Sequence, residues 1–210
     1  LYKGEKYLKY WINILTLNFK IYQKEYNLLC EVIFVNDNPD EKIILENEDI
    51  CLSIYNLDEN NGIHGARVRG YWKARGNYIV FLDQDDMIAE DYLVSQRKRI
   101  GNADAIVCNG YKKYLLMHGK RQIYMCESQW NRIQRPKNSF YEENPILSPG
   151  QVLIKRSSMP FLWLREIMKK NGADDYYLWI LMKKGGCVFE INRQLLFTHM
   201  YSGGNASNDS

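Results

Sequence analysis

Three carboxylates stand within four positions of the sequence, directly after a run of apolar residues. The run covers residues 78–82, and the acidic side chains belong to Asp83, Asp85 and Asp86. Alternate side chains of an extended chain point to the same face, so Asp83 and Asp85 can converge on one ligand. A hard divalent cation such as Mg²⁺ or Mn²⁺ binds one or two protein carboxylates and completes its coordination with water and phosphate oxygens. The pattern therefore predicts a metal and phosphate site at the end of a buried strand.

Other kinds of acidic site fit this stretch less well. An EF-hand loop that starts at Asp83 requires glycine at its sixth position and glutamate at its twelfth, where the chain has Ile88 and Val94. A phosphatase with an aspartate nucleophile requires a threonine after the acidic pair of its first strand, whereas here Met87 follows and the strand is not the first. The alternative that stays open is a solvated turn, or the cap of a helix over 89–100.

The segments around this cluster alternate between helical and extended patterns. We predict a helix over 5–20, strands over 31–35, 51–57 and 78–83, and helices over 62–76 and 89–101. Such alternation with apolar strands is typical of a parallel sheet covered by helices on both faces. Ligands of these sheets bind beyond the carboxyl ends of the strands. We therefore expect residues 36–38 and 83–86, which follow two of the strands, to lie at the same edge.

The second half of the chain is less regular. We predict a strand and a hairpin around Gly119, a strand over 150–156, helices over 161–170 and 174–185, and a strand over 187–192. The polar segment 128–145 is expected to be a mobile loop that closes over a substrate. The tail over 202–210 is flexible by composition.

Length and composition limit the class of protein. The chain has 210 residues, of which 46% are hydrophobic, and this is enough for one domain with a full core. Its net charge of +3 gives no reason to expect nucleic acid or an anionic membrane as a partner. The five cysteines are scattered and form no CxxC pair, which argues against a zinc site and favours a reducing compartment. No apolar run approaches the roughly 18 residues of a membrane-spanning helix.

Two long stretches resemble glycosyltransferase family 2. The segments "EVIFVNDNPDEKI" and "NNGIHGARVRGYWKARGNYIVFLDQDDMIAEDYL" match, in order and spacing, the half of that family that binds a nucleotide sugar, and the match covers residues 5–100. The segment "GADDYYLWILMKKGG" resembles the family's later acidic motif. The resemblance implies an α/β protein of GT-A fold, with a Rossmann-like, mainly parallel sheet flanked by helices and a mixed second half. It implies one domain, in which 1–101 binds the nucleotide sugar and 102–210 lies on the acceptor side.

The resemblance also assigns roles in the donor site. Asp37 is expected to contact the uracil or other base, and Arg67 to flank the nucleotide. Asp83 would hold the ribose or assist the metal, and Asp85 would bind the metal across the diphosphate. Asp86 would complete the cluster and contact the nucleotide sugar. The implied donor is a nucleotide-diphosphate sugar, with UDP as the expected nucleotide, and the implied cofactor is Mn²⁺ or Mg²⁺.

Further roles fall in the second half of the chain. Asp175 aligns with the family's catalytic base, which removes the proton of the acceptor hydroxyl. Asp174 stands where the family more often has glutamate, and it is expected to contact the nucleotide sugar. Capping of a helix is the alternative for both. His199 is predicted to contact the metal or the phosphates, with a structural role as its alternative, and Trp130 is predicted to contact the acceptor.

The implied activity is a metal-dependent transfer that inverts the anomeric carbon, because a single base opposite the leaving group gives one displacement. The acceptor would be a hydroxyl of a cell-surface polysaccharide or glycolipid, and the enzyme would work in the cytoplasm, at the inner face of the cell membrane. Two alternatives stay open. One is a nucleotidyltransferase, and the other is a degenerate member that only binds nucleotide sugars, which Asn36 in place of the family's usual aspartate favours.

The start of the sequence departs from the family pattern. The family opens with a strand whose end contacts the nucleotide, whereas residues 2–12 resemble the segment that comes after that strand. A parallel sheet without a central strand would leave unpaired backbone groups on the two neighbouring strands. We therefore expect a further strand to precede Leu1.

Overall fold

Helices and strands alternate along the first half of the chain. The computed structural model describes residues 1–45, 49–117, 119–135, 140–168 and 172–201. Its α-helices are α1 (Glu5–Tyr26), α2 (Gly62–Lys73), α3 (Tyr92–Ile100), α4 (Glu127–Gln134), α5 (Phe161–Arg165) and α6 (Asp174–Lys184). Its strands are β1 (Glu31–Asn36), β2 (Cys51–Asn56), β3 (Tyr78–Ile79), β4 (Met87–Ile88), β5 (Ala105–Tyr114), β6 (Lys120–Ile123), β7 (Val152–Lys155) and β8 (Phe189–Tyr201). The tail over 202–210 lies outside the described residues.

The strands form two sheets. Strands β1 and β2 pair in parallel, as predicted, whereas the third strand predicted for the first half contributes β3 to the other sheet. The larger sheet has the order β3-β7-β5-β8-β4, with β6 beside β5. In this sheet β5 and β8 run parallel, whereas the pairs β3–β7, β4–β8, β5–β6 and β5–β7 are antiparallel. The α/β class and the mixed second half are therefore confirmed, and the hairpin around Gly119 is the β5–β6 pair.

An apolar gap separates the two sheets. The strand predicted over 78–83 is regular only at Tyr78–Ile79, where it pairs with β7. Residues 80–82 line the cavity opposite β1 and belong to neither sheet. Leu1 contacts the end of β1, where its ammonium donates to the Val35 carbonyl at 2.6 Å and its own carbonyl accepts from the Asp37 N–H at 2.7 Å. A strand that precedes Leu1 stays a prediction.

Helix α1 positions the acidic turn that follows residues 80–82. Its buried face carries Leu8, Trp11 and Leu15, which recur at helical spacing. The indole N–H of Trp11 donates to the carbonyl of Gln84, in the middle of the acidic turn, at 2.8 Å. Asn18 of the same helix bonds both Ala89 and Leu93, so α1 also fixes the start of α3. In the described part of the chain, no helix combines the length and the apolar character that crossing a membrane requires.

The segment predicted as a mobile loop is helical at its start. Helix α4 covers Glu127–Gln134 and buries Trp130 and Ile133, three positions apart on one face. The buried ammonium of Lys183 donates to the carbonyls of Ile133 and Arg135 at the carboxyl end of α4. Because most residues of the segment are polar, the sequence pattern did not predict this short amphipathic helix. Residues 136–139 of the predicted lid lie outside the described residues.

Substituting Gly110 tests the close contact between β5 and β8. A Cβ atom at Gly110 would lie 2.5 Å from the Phe197 carbonyl oxygen, a distance that real Cβ atoms do not show. We expect Gly110→Ala to lower the free energy of unfolding by about 1–3 kcal/mol, because the backbone of β8 must shift. Urea unfolding followed by circular dichroism measures it.

Gly70→Ala is the matched control. Its Cβ would meet only a side-chain carbon of Val35, at 3.4 Å. Because alanine is favoured over glycine inside a helix by about 1 kcal/mol, this variant is expected to be as stable as the unsubstituted chain or more so. If Gly110→Ala and Gly70→Ala were equally stable, the close approach of Gly110 to Phe197 would be contradicted.

Candidate active site

A cavity of about 1830 Å³ opens at the carboxyl end of β1, beside the acidic turn. All the predicted site residues except Asp86 and Trp130 line it: Asp37, Arg67, Asp83, Asp85, Asp174, Asp175 and His199. The cavity continues along the apolar gap between β1 and residues 79–82, so only its polar end is the candidate site. The prediction that the two polar turns lie at one edge is confirmed.

Arg67 lies between two carboxylates that come from distant parts of the sequence. Its guanidinium, on α2, forms a salt bridge with Asp83 in the acidic turn and another, at 2.7 Å, with Asp174 at the start of α6. Only 12% of the Arg67 side chain and 2% of the Asp174 side chain are exposed. Burial alone would lower the pKa of Arg67, but Asp83 and Asp174 raise it above its ordinary value. Arg67 is therefore charged at every relevant pH and links the acidic turn to the start of α6 through two ion pairs.

Asp86 lies behind the cavity wall. Its side chain is fully buried, and its two oxygens accept hydrogen bonds from the Nδ1 atom of His199, from the Met200 N–H and from the Ser148 hydroxyl. This geometry corrects the role predicted for Asp86, because a carboxylate with both oxygens engaged and no exposed surface does not reach a nucleotide sugar. Burial raises the pKa of Asp86, and the hydrogen bond from His199 opposes that rise.

Asp85 is the carboxylate of the turn that lacks a cationic partner. It is half-buried and lines the cavity, and no salt bridge of the described residues includes it. Burial raises the pKa of Asp85, because its charge is poorly solvated, whereas His199 and Lys6 oppose that rise. An unpaired carboxylate at the edge of a polar cavity fits a divalent cation, which would supply the missing positive charge.

The three predicted metal ligands do not form a ready-made site. Asp83 is engaged by Arg67, and His199 donates through Nδ1 to Asp86. Within the described ranges, no group of three or more His, Cys, Asp or Glu side chains is gathered to hold a metal ion. A cation at Asp85 would thus depend on phosphate oxygens for much of its coordination, as Mg²⁺ and Mn²⁺ sites in nucleotide enzymes do. The metal itself stays a prediction.

Asp174 and Asp175 occupy the first turn of α6 but have different environments. The N-cap position is Ala173, and no side chain caps this helix, so capping does not explain either residue. Asp174 is bound to Arg67, whereas Asp175 lines the cavity with one oxygen accepting the N–H of Tyr176 at 2.7 Å. Burial raises the pKa of Asp175 to about 6, although Arg67 opposes the rise. A carboxylate with this pKa, open to a cavity, is suited to accept a proton near neutral pH.

Two adjacent residues at the end of β1 have different positions, because Asp37 lines the cavity and Asn36 is buried in the fold. Asp37 is 5% exposed, and its carboxylate accepts the N–H of Asn61 at 2.7 Å, which fixes the loop that leads into α2. Asn36 is fully buried and donates its amide to the Glu41 carbonyl and to the Asn56 side chain. An aspartate at position 36 could not donate these hydrogen bonds. Asn36 is therefore explained by the fold, which removes the argument that it marks a lost activity.

The structure removes the basis for the acceptor role predicted for Trp130. The side chain is 2% exposed, packs in the hydrophobic core and does not line the cavity. The error came from treating a polar segment as a loop, whereas the helical spacing of Trp130 and Ile133 directs both inward.

Sequence reasoning missed residues that support the predicted site residues through hydrogen bonds. The buried ring of His64 accepts the Met168 N–H through Nδ1 and donates through Nε2 to the Trp163 carbonyl. The indole of Trp163 then donates to the carbonyl of Asp174 at 2.8 Å. Ser148 supports Asp86 in the same indirect way. Only the tertiary fold brings these residues together, so no local pattern could have identified them.

The family model described as "Glycosyl transferase family 2" matches residues 2–162. An uncharacterized glycosyltransferase of Haemophilus influenzae is 27% identical over 184 residues, which cover 82% of this chain and 65% of that protein. Glycosyltransferase GlyA of Streptococcus pneumoniae is 31% identical over 121 residues, or 52% of this chain and 16% of GlyA. The chain spans about two thirds or less of these relatives.

Solved structures of TarS from S. aureus share the fold. TarS 1-349 in complex with UDP-GlcNAc superposes with a TM-score of 0.68 at 16% identity, covering 100% of this chain and 59% of that one. The same protein in complex with UDP gives a TM-score of 0.66 at 15% identity, over 95% of this chain and 58% of that one. The fold is thus that of a GT-A glycosyltransferase. With the match of the family model, the chain belongs to glycosyltransferase family 2.

Removing the charge of Arg67 tests its role as the link between α2, the acidic turn and α6. Arg67→Met leaves Asp174 buried without a counter-charge, and breaking a buried pair in this way costs about 3–5 kcal/mol. We expect a corresponding fall in the free energy of unfolding at pH 7, measured by urea denaturation.

Arg75→Met is the control, because the Arg75 side chain is 79% exposed in its salt bridge with Glu31. An exposed pair contributes about 0–1 kcal/mol. If the two variants lost similar stability, Arg67 would not be the buried link that the geometry describes.

Proposed function

We propose that the chain forms the donor site and the catalytic base of an inverting glycosyltransferase. It would use a UDP-sugar and Mn²⁺ or Mg²⁺, and transfer the sugar to a hydroxyl of a cell-surface polysaccharide or glycolipid, at the cytoplasmic face of the cell membrane. The observation that carries the proposal is the shared cavity of Asp85 and Asp175. One is an unpaired carboxylate that fits a cation, and the other is a carboxylate whose pKa of about 6 suits a base. That TarS has been solved with UDP-GlcNAc supports a nucleotide-sugar donor.

The residues divide the reaction between them. Asp175 would accept the proton of the acceptor hydroxyl as that oxygen attacks the anomeric carbon, because an alcohol is too weakly acidic to lose its proton unaided at neutral pH. Asp37 would contact the base, and Asp83 the ribose. A divalent cation at Asp85, when bound, would stabilise the charge that develops on the diphosphate leaving group. Arg67 would keep Asp83 and Asp174 in place, since it bonds both.

The alternatives carry less support. Asn36 was the argument for a degenerate member that only binds nucleotide sugars. Its amide forms hydrogen bonds that stabilise the fold, so that argument no longer holds. The carboxylates that catalysis needs are present, and they line the cavity. For a nucleotidyltransferase, the described residues offer no observation that favours it over sugar transfer.

Asp175→Asn tests the catalytic base. The amide keeps the shape of the side chain but does not accept a proton. With water in place of the acceptor hydroxyl, hydrolysis of UDP-GlcNAc to UDP and GlcNAc in the presence of Mn²⁺ is therefore expected to fall by about 10²–10⁴-fold. Binding of UDP, measured by thermal stabilisation, should be retained because Asp175 acts on the acceptor side. Asp40→Asn, an exposed change of the same kind, should alter neither. Unchanged UDP release in Asp175→Asn would exclude this base.

The pH dependence gives an independent test of the same residue. Only ionised Asp175 accepts a proton, and burial raises its pKa to about 6. At saturating UDP-GlcNAc and Mn²⁺, the rate of UDP release should therefore fall as the pH drops below about 6 and be level above about 7. The residual activity of Asp175→Asn should lack this inflection. A rate that stays level down to pH 4 would show that the base has an ordinary carboxylate pKa or lies elsewhere.

A further inference from the structure

The contact between Asp86 and His199 is built into the sheet. Strands β4 and β8 pair antiparallel, with Met87 opposite Thr198 and Ile88 opposite Phe197. Continuing this register by one residue places Asp86 opposite His199. The Nδ1 atom of His199 lies 2.8 Å from Asp86 Oδ1. The contact therefore follows from strand register and not from a chance approach of two mobile side chains.

Asp86 is itself held rigidly. The same oxygen that meets His199 accepts the N–H of Met200 at 3.2 Å, and the other accepts the hydroxyl of Ser148 at 3.1 Å. With none of its side chain exposed, the carboxylate has one orientation available. An ionised carboxylate only accepts hydrogen bonds, so its partner Nδ1 must carry the proton. The tautomer and the ring plane of His199 are thus both determined by Asp86.

His199 lines the cavity, whereas Asp86 does not. When Nδ1 carries the proton of a neutral imidazole, Nε2 holds the lone pair that binds a metal ion. In metal sites, a carboxylate that accepts the other ring N–H orients the ligand and makes it more basic. Asp85, the carboxylate that fits a cation, directly precedes Asp86 in the chain and lines the same cavity.

We propose that Asp86 is a positioning residue that holds His199 as a ligand of the divalent cation bound by Asp85. This inference rests on the proposed function, because it requires the cation. It differs from the role that the sequence predicted for Asp86, which was direct contact with the nucleotide sugar. It also gives a role to a carboxylate that has no exposed surface and lies behind the cavity wall.

The test is a double-mutant cycle read by Mn²⁺ affinity. The dissociation constant of Mn²⁺ is measured in saturating UDP by electron paramagnetic resonance of the free ion, on the unsubstituted chain, Asp86→Ala, His199→Ala and the double variant. Loss of an outer-shell carboxylate typically costs 10–100-fold in metal affinity, so Asp86→Ala should raise the dissociation constant by about that factor. Because Asp86 acts through His199, the double variant should bind no more weakly than His199→Ala.

Asp86→Asn is the control for a loss of Mn²⁺ affinity that results only from unfolding. Its amide oxygen can still accept from His199 and Met200, and its NH₂ group can donate to the Ser148 hydroxyl, so the fold should be kept while the negative charge is lost. A smaller loss of Mn²⁺ affinity than in Asp86→Ala is expected. In the metal-free chain, ¹⁵N spectra should show His199 protonated at Nδ1, in both the unsubstituted chain and Asp86→Asn. A neutral ring protonated at Nε2 and not at Nδ1 in the unsubstituted chain would overturn the inference.

Asp85→Asn separates failure of this inference from failure of the proposed function. If Asp85→Asn binds Mn²⁺ as the unsubstituted chain does, the cation site itself is wrong and the proposed metal dependence fails with it. If Asp85→Asn loses Mn²⁺ while folded Asp86→Asn and His199→Ala keep full affinity, only the positioning role fails. Additive losses in the double variant would also overturn it, since they would show that Asp86 acts independently of His199.

Discussion

The architecture of the site depends on one buried cation. Arg67 reaches from α2 to the acidic turn and to the first turn of α6, and it binds a carboxylate in each. Taking such charges out of water costs several kcal/mol per ion, which is recovered only if the partners are well placed. The two halves of the site are therefore interdependent. Asp174 can be buried because Arg67 lies beside it, and α6 is held at the cavity by the same contact.

The salt bridge between Arg67 and Asp83 explains how the acidic turn tolerates several carboxylates close together. The three carboxylates of the acidic turn do not share one environment. Asp83 is paired with Arg67, Asp86 is paired with His199 behind the cavity wall, and Asp85 is left without a cation in the described part of the chain. Arg67 thus offsets the charge of Asp83, and hydrogen bonds engage both oxygens of Asp86. Asp85 lines the cavity without a salt bridge among the described residues, and the proposed cation would bind there.

The sequence predicted most of what local pattern and chain order determine. Apolar runs and helical spacing located the elements up to Ile100 except β4, and the motif order located most of the predicted site residues that line the cavity. The errors have physical causes. Trp130 was assigned to a loop because its neighbours are polar, although its helical partner Ile133 directs it into the core. The fully buried state of Asp86 depends on the pairing of β4 with β8 and on Ser148, and neither contact leaves a local signal.

The pair at the start of α6 shows why adjacent carboxylates can have opposite tasks. Two acids in the same helical turn would ordinarily compete for one nearby cation, and Arg67 bonds Asp174 directly. The positive charge of Arg67 acts on Asp175 only at longer range. This attraction limits the rise in the pKa of Asp175 that burial causes. Full pairing would leave Asp175 too weak a base, and full isolation would keep it protonated at neutral pH. Placing the direct ion pair one residue earlier leaves Asp175 ionised and still basic, which is the state that removing a proton from an alcohol requires.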